Sequence, residues 1–174
     1  MPIDWFALPG LRVSGTVVAE APELPPDLAQ VSRAIASRLE GEKAQDVSFN
    51  DHSVRFFGPP MFGTWGNWHV LLPIESGVIS LETVGTMVRL RYRVGYTRLL
   101  LFSISAAVAA VLFFLGTPGA FGPPPLLILG FFVGGLFGIN FLISWPRVHN
   151  FLRDALQEAL AHSTEYSPGN RRAT

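Results

Sequence analysis

LLLFSISAAVAAVLFFLGTPGAFGPPPLLILGFFVGGLFGINFLISWP, residues 99–146, runs for 48 residues without an Asp, Glu, Lys, Arg or His. A bilayer crossing takes about 20 apolar residues, so this stretch is too long for one pass and suits two joined by a turn. Its middle, Thr117-Pro118-Gly119-Ala120-Phe121-Gly122-Pro123-Pro124-Pro125, breaks a helix between two apolar blocks. The pattern predicts a transmembrane hairpin over residues 98–146, with helices at about 98–116 and 126–145. A chain of 174 residues has little with which to bury both inside a soluble core.

Flanking charge predicts the orientation. Arg89, Arg91, Arg93 and Arg98 precede the first helix; Arg147 and Arg153 follow the second; the connector carries none. Positive residues stay inside, so both ends of the hairpin are expected in the cytosol, with Tyr92, Tyr96 and Trp145 at the interface. The start, Met1-Pro2-Ile3-Asp4-Trp5-Phe6, lacks the basic and apolar regions of a signal peptide, so the first 97 residues are expected to stay cytosolic. Of 13 Lys+Arg residues only Lys43 is lysine, the usage of a GC-rich bacterial coding sequence. The expected location is therefore the bacterial inner membrane, both termini cytosolic.

Small residues are patterned inside the hairpin. Ser103, Ala106, Ala107 and Ala110 share a face of the first helix; Gly130, Gly134 and Gly138 repeat every four residues in the second. Lipid gives apolar helices no hydrophobic reason to pair, so close backbone approach is the main attraction available. The two stripes are expected to pack on each other, with homodimerisation through the glycines as the competing use. At 100° per residue, Asn140 and Ser144 fall on a different surface from the glycines. A partner helix or a bound pigment, quinone or lipid headgroup would satisfy that surface; the alternative is a bond from Asn140 to its own helix's carbonyls. No cofactor is named by the sequence.

Residues 1–97 read as an α+β domain: one helix on a mainly antiparallel sheet. Leu11–Ala19 alternates as a strand, and Asp27 caps a helix through Leu28, Val31, Ile35 and Leu39 that Gly41 ends. Val47–Phe49 and Val54–Phe57 flank a turn at Asn50-Asp51-His52-Ser53. Trp68–Ile74 and Val78–Leu81 suggest another hairpin around Glu75-Ser76-Gly77, and Val84–Val94 a last strand. In that strand Arg89, Arg91 and Arg93 take one face, suited to anionic headgroups or an acidic partner. The loop 56–68 joins Gly and Pro to large apolar residues, so Phe62, Trp65 and Trp68 are expected either as a core lid or as a contact surface. Residues 147–174 read as an amphipathic helix and polar tail, with Pro146 in its first turn. Phe151 and Leu152 belong to an apolar stripe needing cover from the chain's own domain, a second copy or a partner.

Chemistry is sparse. His52, His69, His149 and His162 form no metal-ligand spacing, and no phosphate-binding loop or nucleophile elbow occurs. There is no Cys, hence no disulfide or thiolate chemistry, and a formal net charge of zero speaks against a nucleic-acid partner. The expected function is a non-catalytic, membrane-anchored accessory or interaction subunit docking onto a larger bacterial membrane complex. A homo-oligomeric two-helix membrane effector or pore with a cytosolic sensing domain is the alternative, and an interfacial lipid enzyme ranks last. Expected partners are the lipid bilayer and other membrane subunits or a second copy.

Overall fold

The computed structural model describes residues 11–21, 26–60, 70–116 and 124–165. In order they form β1 (Arg12–Glu20), α1 (Leu28–Gly41), β2 (Gln45–Asn50), β3 (Ser53–Phe57), β4 (Ser76–Val84), β5 (Met87–Gly95) and α2 (Thr97–Gly116). Then α3 (Pro125–Gly130), a π-helical segment (Phe131–Gly138) and α4 (Ile139–Glu165) follow one another without a gap. The class is α+β: a five-stranded antiparallel sheet in the order β1-β5-β4-β3-β2, with helices on one face.

Local chemistry explains most boundaries. The Asp27 carboxylate accepts from the backbone N–H of Ala29 and Gln30, at 3.0 and 3.2 Å, and starts α1. The helix ends in a Schellman turn: Lys43 N–H donates to Glu40 O and Ala44 N–H to Leu39 O. The left-handed residue of that turn is Lys43 (φ 62°), so Gly41 is the last helical residue and not the stop it was expected to be. Asn50 Oδ1 accepts from the N–H of His52 and Ser53, closing the β2–β3 turn.

Two expectations about the later strands need correction. Val84–Val94 is not one strand: Gly85 (φ +61°) and Thr86 make a two-residue turn between β4 and β5. Val70–Pro73 is turn rather than strand. Pro73 has no N–H for a ladder, and Leu71 and Ile74 instead push into the core with no exposed surface. The backbone here runs so close that a Cβ on Gly58 would lie 1.8 Å from Ile74 O.

The inner face of the sheet carries Val54, Phe56, Ile79, Leu81, Val88, Leu90, Tyr92 and Val94. Tyr92 lies over Gly15, and Phe56 over Gly77, each filling the gap left by a cross-strand glycine. Against this face pack Val31, Ile35 and Leu39 of α1 and Val148, Leu152 and Leu156 of α4. Two helices thus cover the sheet where one was expected. Phe151 (8% exposed) and Leu152 (1%) are consequently not a free contact surface; the chain's own domain buries them.

No helix boundary falls at Pro146. α4 passes through it, carrying an apolar half and an amphipathic half in one continuous helix. An interior proline deletes one N–H···O bond and costs about 3 kcal/mol. Packing on both sides offsets this, since Trp145 lies against Tyr92 and Val148 is 1% exposed.

Candidate functional site

The sheet's outer face is uncovered among the described residues, and alternation sorts the arginines onto it. In β5, Arg89, Arg91 and Arg93 point outward while Val88, Leu90, Tyr92 and Val94 point to the core. Arg93 is in register with Ser14 of β1 and Val78 of β4; Val78 is in turn opposite Arg55 of β3. Arg12, at the start of β1, is opposite Gly95. These arginines surround a groove of about 690 Å³, in which Arg12, Arg55, Arg91 and Arg93 alternate with the short side chains Ser14, Thr16, Ser76 and Ser80. Among the described residues no carboxylate lines it.

Glu82 accepts from Arg89 at 3.1 Å and Arg91 at 3.0 Å, so one carboxylate is shared by two guanidiniums at the end remote from α2. The end near α2 carries Arg12, Arg55 and Arg93. Arg12 and Arg55 were not anticipated as site residues. Strand alternation could have placed each on an outward face, but only the sheet order β1-β5-β4-β3 sets them beside Arg93.

Where sheet and apolar helices meet, rings form a column. Phe137, Phe141 and Trp145 stack at four-residue spacing, with centroids 5.8 and 6.4 Å apart. Tyr96 meets Phe141 edge-on at 5.1 Å, and Tyr92 meets Trp145 at 6.1 Å. The Tyr92 hydroxyl shares a 3.0 Å hydrogen bond with His149 Nδ1. The Tyr96 hydroxyl is buried without a hydrogen-bond partner among the described residues, and burial, with Tyr92 nearby adding, pushes its pKa up to about 12. Arg98 donates to Pro59 O at 3.1 Å, tying the first turn of α2 to the end of β3, while Arg147 is exposed.

Thr97–Gly116 and Leu126–His162 are long and apolar enough to cross a membrane, with mean hydropathy 2.5 and 2.4 in their most apolar windows. Only 17% and 6% of those windows are buried, whereas the core helix of a soluble protein is mostly covered. α2 packs on α3 and the π-helical segment. Ser103 and Ala107 are fully buried, Ala106 and Ala110 partly so, and Ile128 answers them from α3. The glycines do not. A Cβ added at Gly130, Gly134 or Gly138 would meet no atom within 4 Å, so this stripe is not the seam with α2. The segment Phe131–Gly138 is π-helical, with wider turns than regular α-helical spacing assumes.

Of the two readings of the Asn140 surface, the structure shows the bond to its own helix. Asn140 Nδ2 donates to Leu136 O and Ser144 Oγ to Asn140 O, both at 2.6 Å. Each thus bonds its own helix four residues back, as Ser103 does to Leu99 O at 3.0 Å. Phe62, Trp65 and Trp68 lie outside the described residues.

Fold and site together define a class: a small antiparallel α+β domain, fused without a linker to two apolar helices of membrane-spanning length, bearing an arginine-lined groove. No protein-family model, curated protein or solved structure matches this chain.

Proposed function

We propose that this chain is a non-catalytic, membrane-anchored accessory or interaction subunit of the bacterial inner membrane that docks onto a larger membrane protein complex. Its two apolar helices form a hairpin, and both termini are cytosolic. The observation that carries the reading is the open glycine edge. Gly130, Gly134 and Gly138 leave a small-residue ridge with no neighbour among the described residues, on a helix clad elsewhere in exposed Leu, Ile and Phe. In lipid such a ridge gains most from close approach of another helix. The orientation is supported by the basic residues at both hairpin ends and by the return of α4 to the domain from which α2 departs. The conspicuous side chains are arginines, aromatics and glycines, which suit contact rather than acid–base chemistry.

The test is purification in mild detergent with mass spectrometry of co-purifying chains. A membrane protein retained by the wild type and lost from Gly134→Leu is the expected result; a wild-type monomer with no companion overturns it. The same ridge also fits a second copy, as in a homo-oligomeric effector. Because the chain has no Cys, Gly134→Cys supplies a unique crosslinking site, and ladders beyond dimer would favour that reading.

A further inference from the structure

We infer that the free edge of β1 takes up an extended acidic segment of the membrane complex on which the chain docks, as an added strand of the sheet. The inference rests on the docking reading above. The strand order leaves β1 and β2 at the two edges. Tyr96 N–H donates to Leu11 O and Ala21 N–H to Thr86 O, so the odd-numbered residues of β1 face β5. The pleat then turns the N–H and C=O groups of Ser14, Thr16, Val18 and Glu20 away from β5, where no backbone group among the described residues meets them. Unpaired edge groups are a template for another strand, and proteins commonly blunt them with bulges, prolines or charge. β2 is blunted: its register shifts between Gln45 and Ser48, and Asp46 takes a left-handed φ of 48°. β1 is not. It keeps unbroken register with β5 from Arg12 to Glu20 and contains neither proline nor lysine.

The two faces beside this edge specify the occupant. A strand added to β1 lies about 10 Å from β5, two strand spacings away, with the short side chains of Ser14 and Thr16 between. Arg93, in register with Ser14, and Arg91, in register with Thr16, are exposed and long enough to reach across. Arg93 makes no ion pair among the described residues, and Arg91 shares Glu82 with Arg89. A carboxylate on the outward side of the added strand gives Arg93 a charge-assisted partner. On the inner face Val13 and Ala19 are only partly covered, so the alternate positions suit apolar side chains. Main-chain bonds along the edge supply the rest of the attraction, as in other strand additions. A second copy fits less well. β1 paired antiparallel with itself would set the two Gly95 ends, from which α2 departs after Tyr96 alone, at opposite ends of the joint sheet rather than side by side at one bilayer.

The probe is a fluorescent peptide alternating glutamate with valine, titrated by anisotropy into the full chain in dodecyl maltoside. The wild type should bind it in preference to the same peptide with lysine for glutamate. Thr16→Pro deletes an edge N–H that the ladder to β5 does not use, and should weaken binding on the order of tenfold. N-methylating the peptide on one alternation of its backbone, but not on the other, should do the same without touching the protein. Arg93→Glu should turn the preference towards the lysine peptide, and Arg33→Gln, on the exposed side of α1, should change nothing. No binding by the wild type, or equal binding of the methylated and unmethylated peptides, overturns the inference, and the peptide arm decides if Thr16→Pro does not fold. Binding indifferent to Arg93→Glu overturns it by removing the acidic partner. A wild-type dimer in native mass spectrometry that Thr16→Pro abolishes overturns it in favour of a second copy, and binding that appears only once residues 1–10 are removed overturns it in favour of the chain's own first residues. Co-purification tests the docking reading separately: a chain that keeps its companion but binds no peptide loses only the strand addition, whereas one that binds peptide without a companion loses the docking reading and keeps the edge site.

Discussion

Two tyrosines four residues apart have opposite balances. Tyr92 has a partner in His149, so Tyr92→Phe should cost about 1 kcal/mol in thermal unfolding of the purified protein. Tyr96 holds a buried hydroxyl without one, so Tyr96→Phe should be neutral or stabilise by about 1 kcal/mol. A tyrosine ionises near pH 10 when unfolded and Tyr96 only near 12 when folded. The unfolded chain therefore sheds this proton first: stability is whole below about pH 10 and falls as pH rises from 10 towards 12. Denaturation midpoints across that range should decline for the wild type and less for Tyr96→Phe. Lys43 is a third case. It occupies the left-handed position of the Schellman turn, where a side chain costs about 1 kcal/mol, so Lys43→Gly should raise the melting temperature. Asp27 as helix cap and Asn50 as turn residue were legible in the sequence because each bonds backbone two or three positions away. The role of Lys43 was hidden by Gly41, which looked the better stop.

At the scale of elements, α4 does what two separate helices were expected to do. Its apolar stripe could be read from spacing, but what covers it could not, because the covering residues lie far earlier in the chain, in α1, β1 and the inner face of the sheet. Leu156 is fully buried between α4 and the domain core, so Leu156→Ala should cost about 2–5 kcal/mol. Arg38 also bridges α1 and α4, meeting Glu158 at 2.6 Å, but both side chains are half exposed. Glu158→Gln should therefore change stability by less than about 1 kcal/mol. Equal effects of the two substitutions would mean that the α1–α4 contact is held by charge and not by burial. The glycine stripe shows the opposite limit of spacing arguments: four-residue spacing marks a shared face without saying which neighbour it meets.

For the whole molecule, a rigid junction replaces a tether: β5 enters α2 through one residue, and α4 links the apolar helices to the sheet core. With no native Cys, topology can be read by single-cysteine labelling with an impermeant maleimide. Ala120→Cys, between the apolar helices, should label in intact spheroplasts. Ser37→Cys, exposed on α1, should label only after the membrane is opened; the reverse pattern would invert the proposed orientation. The sequence by itself determined the two apolar helices, the α+β class and the outward row of arginines in β5. Those follow from composition and short-range periodicity, which hold whatever else the chain touches. Only the tertiary structure decided that α4 closes the core and that Arg12 and Arg55 join Arg93 around one groove. Each of those depends on which distant segments lie side by side, and strand order and helix packing are set by the burial of the whole core rather than by any local pattern.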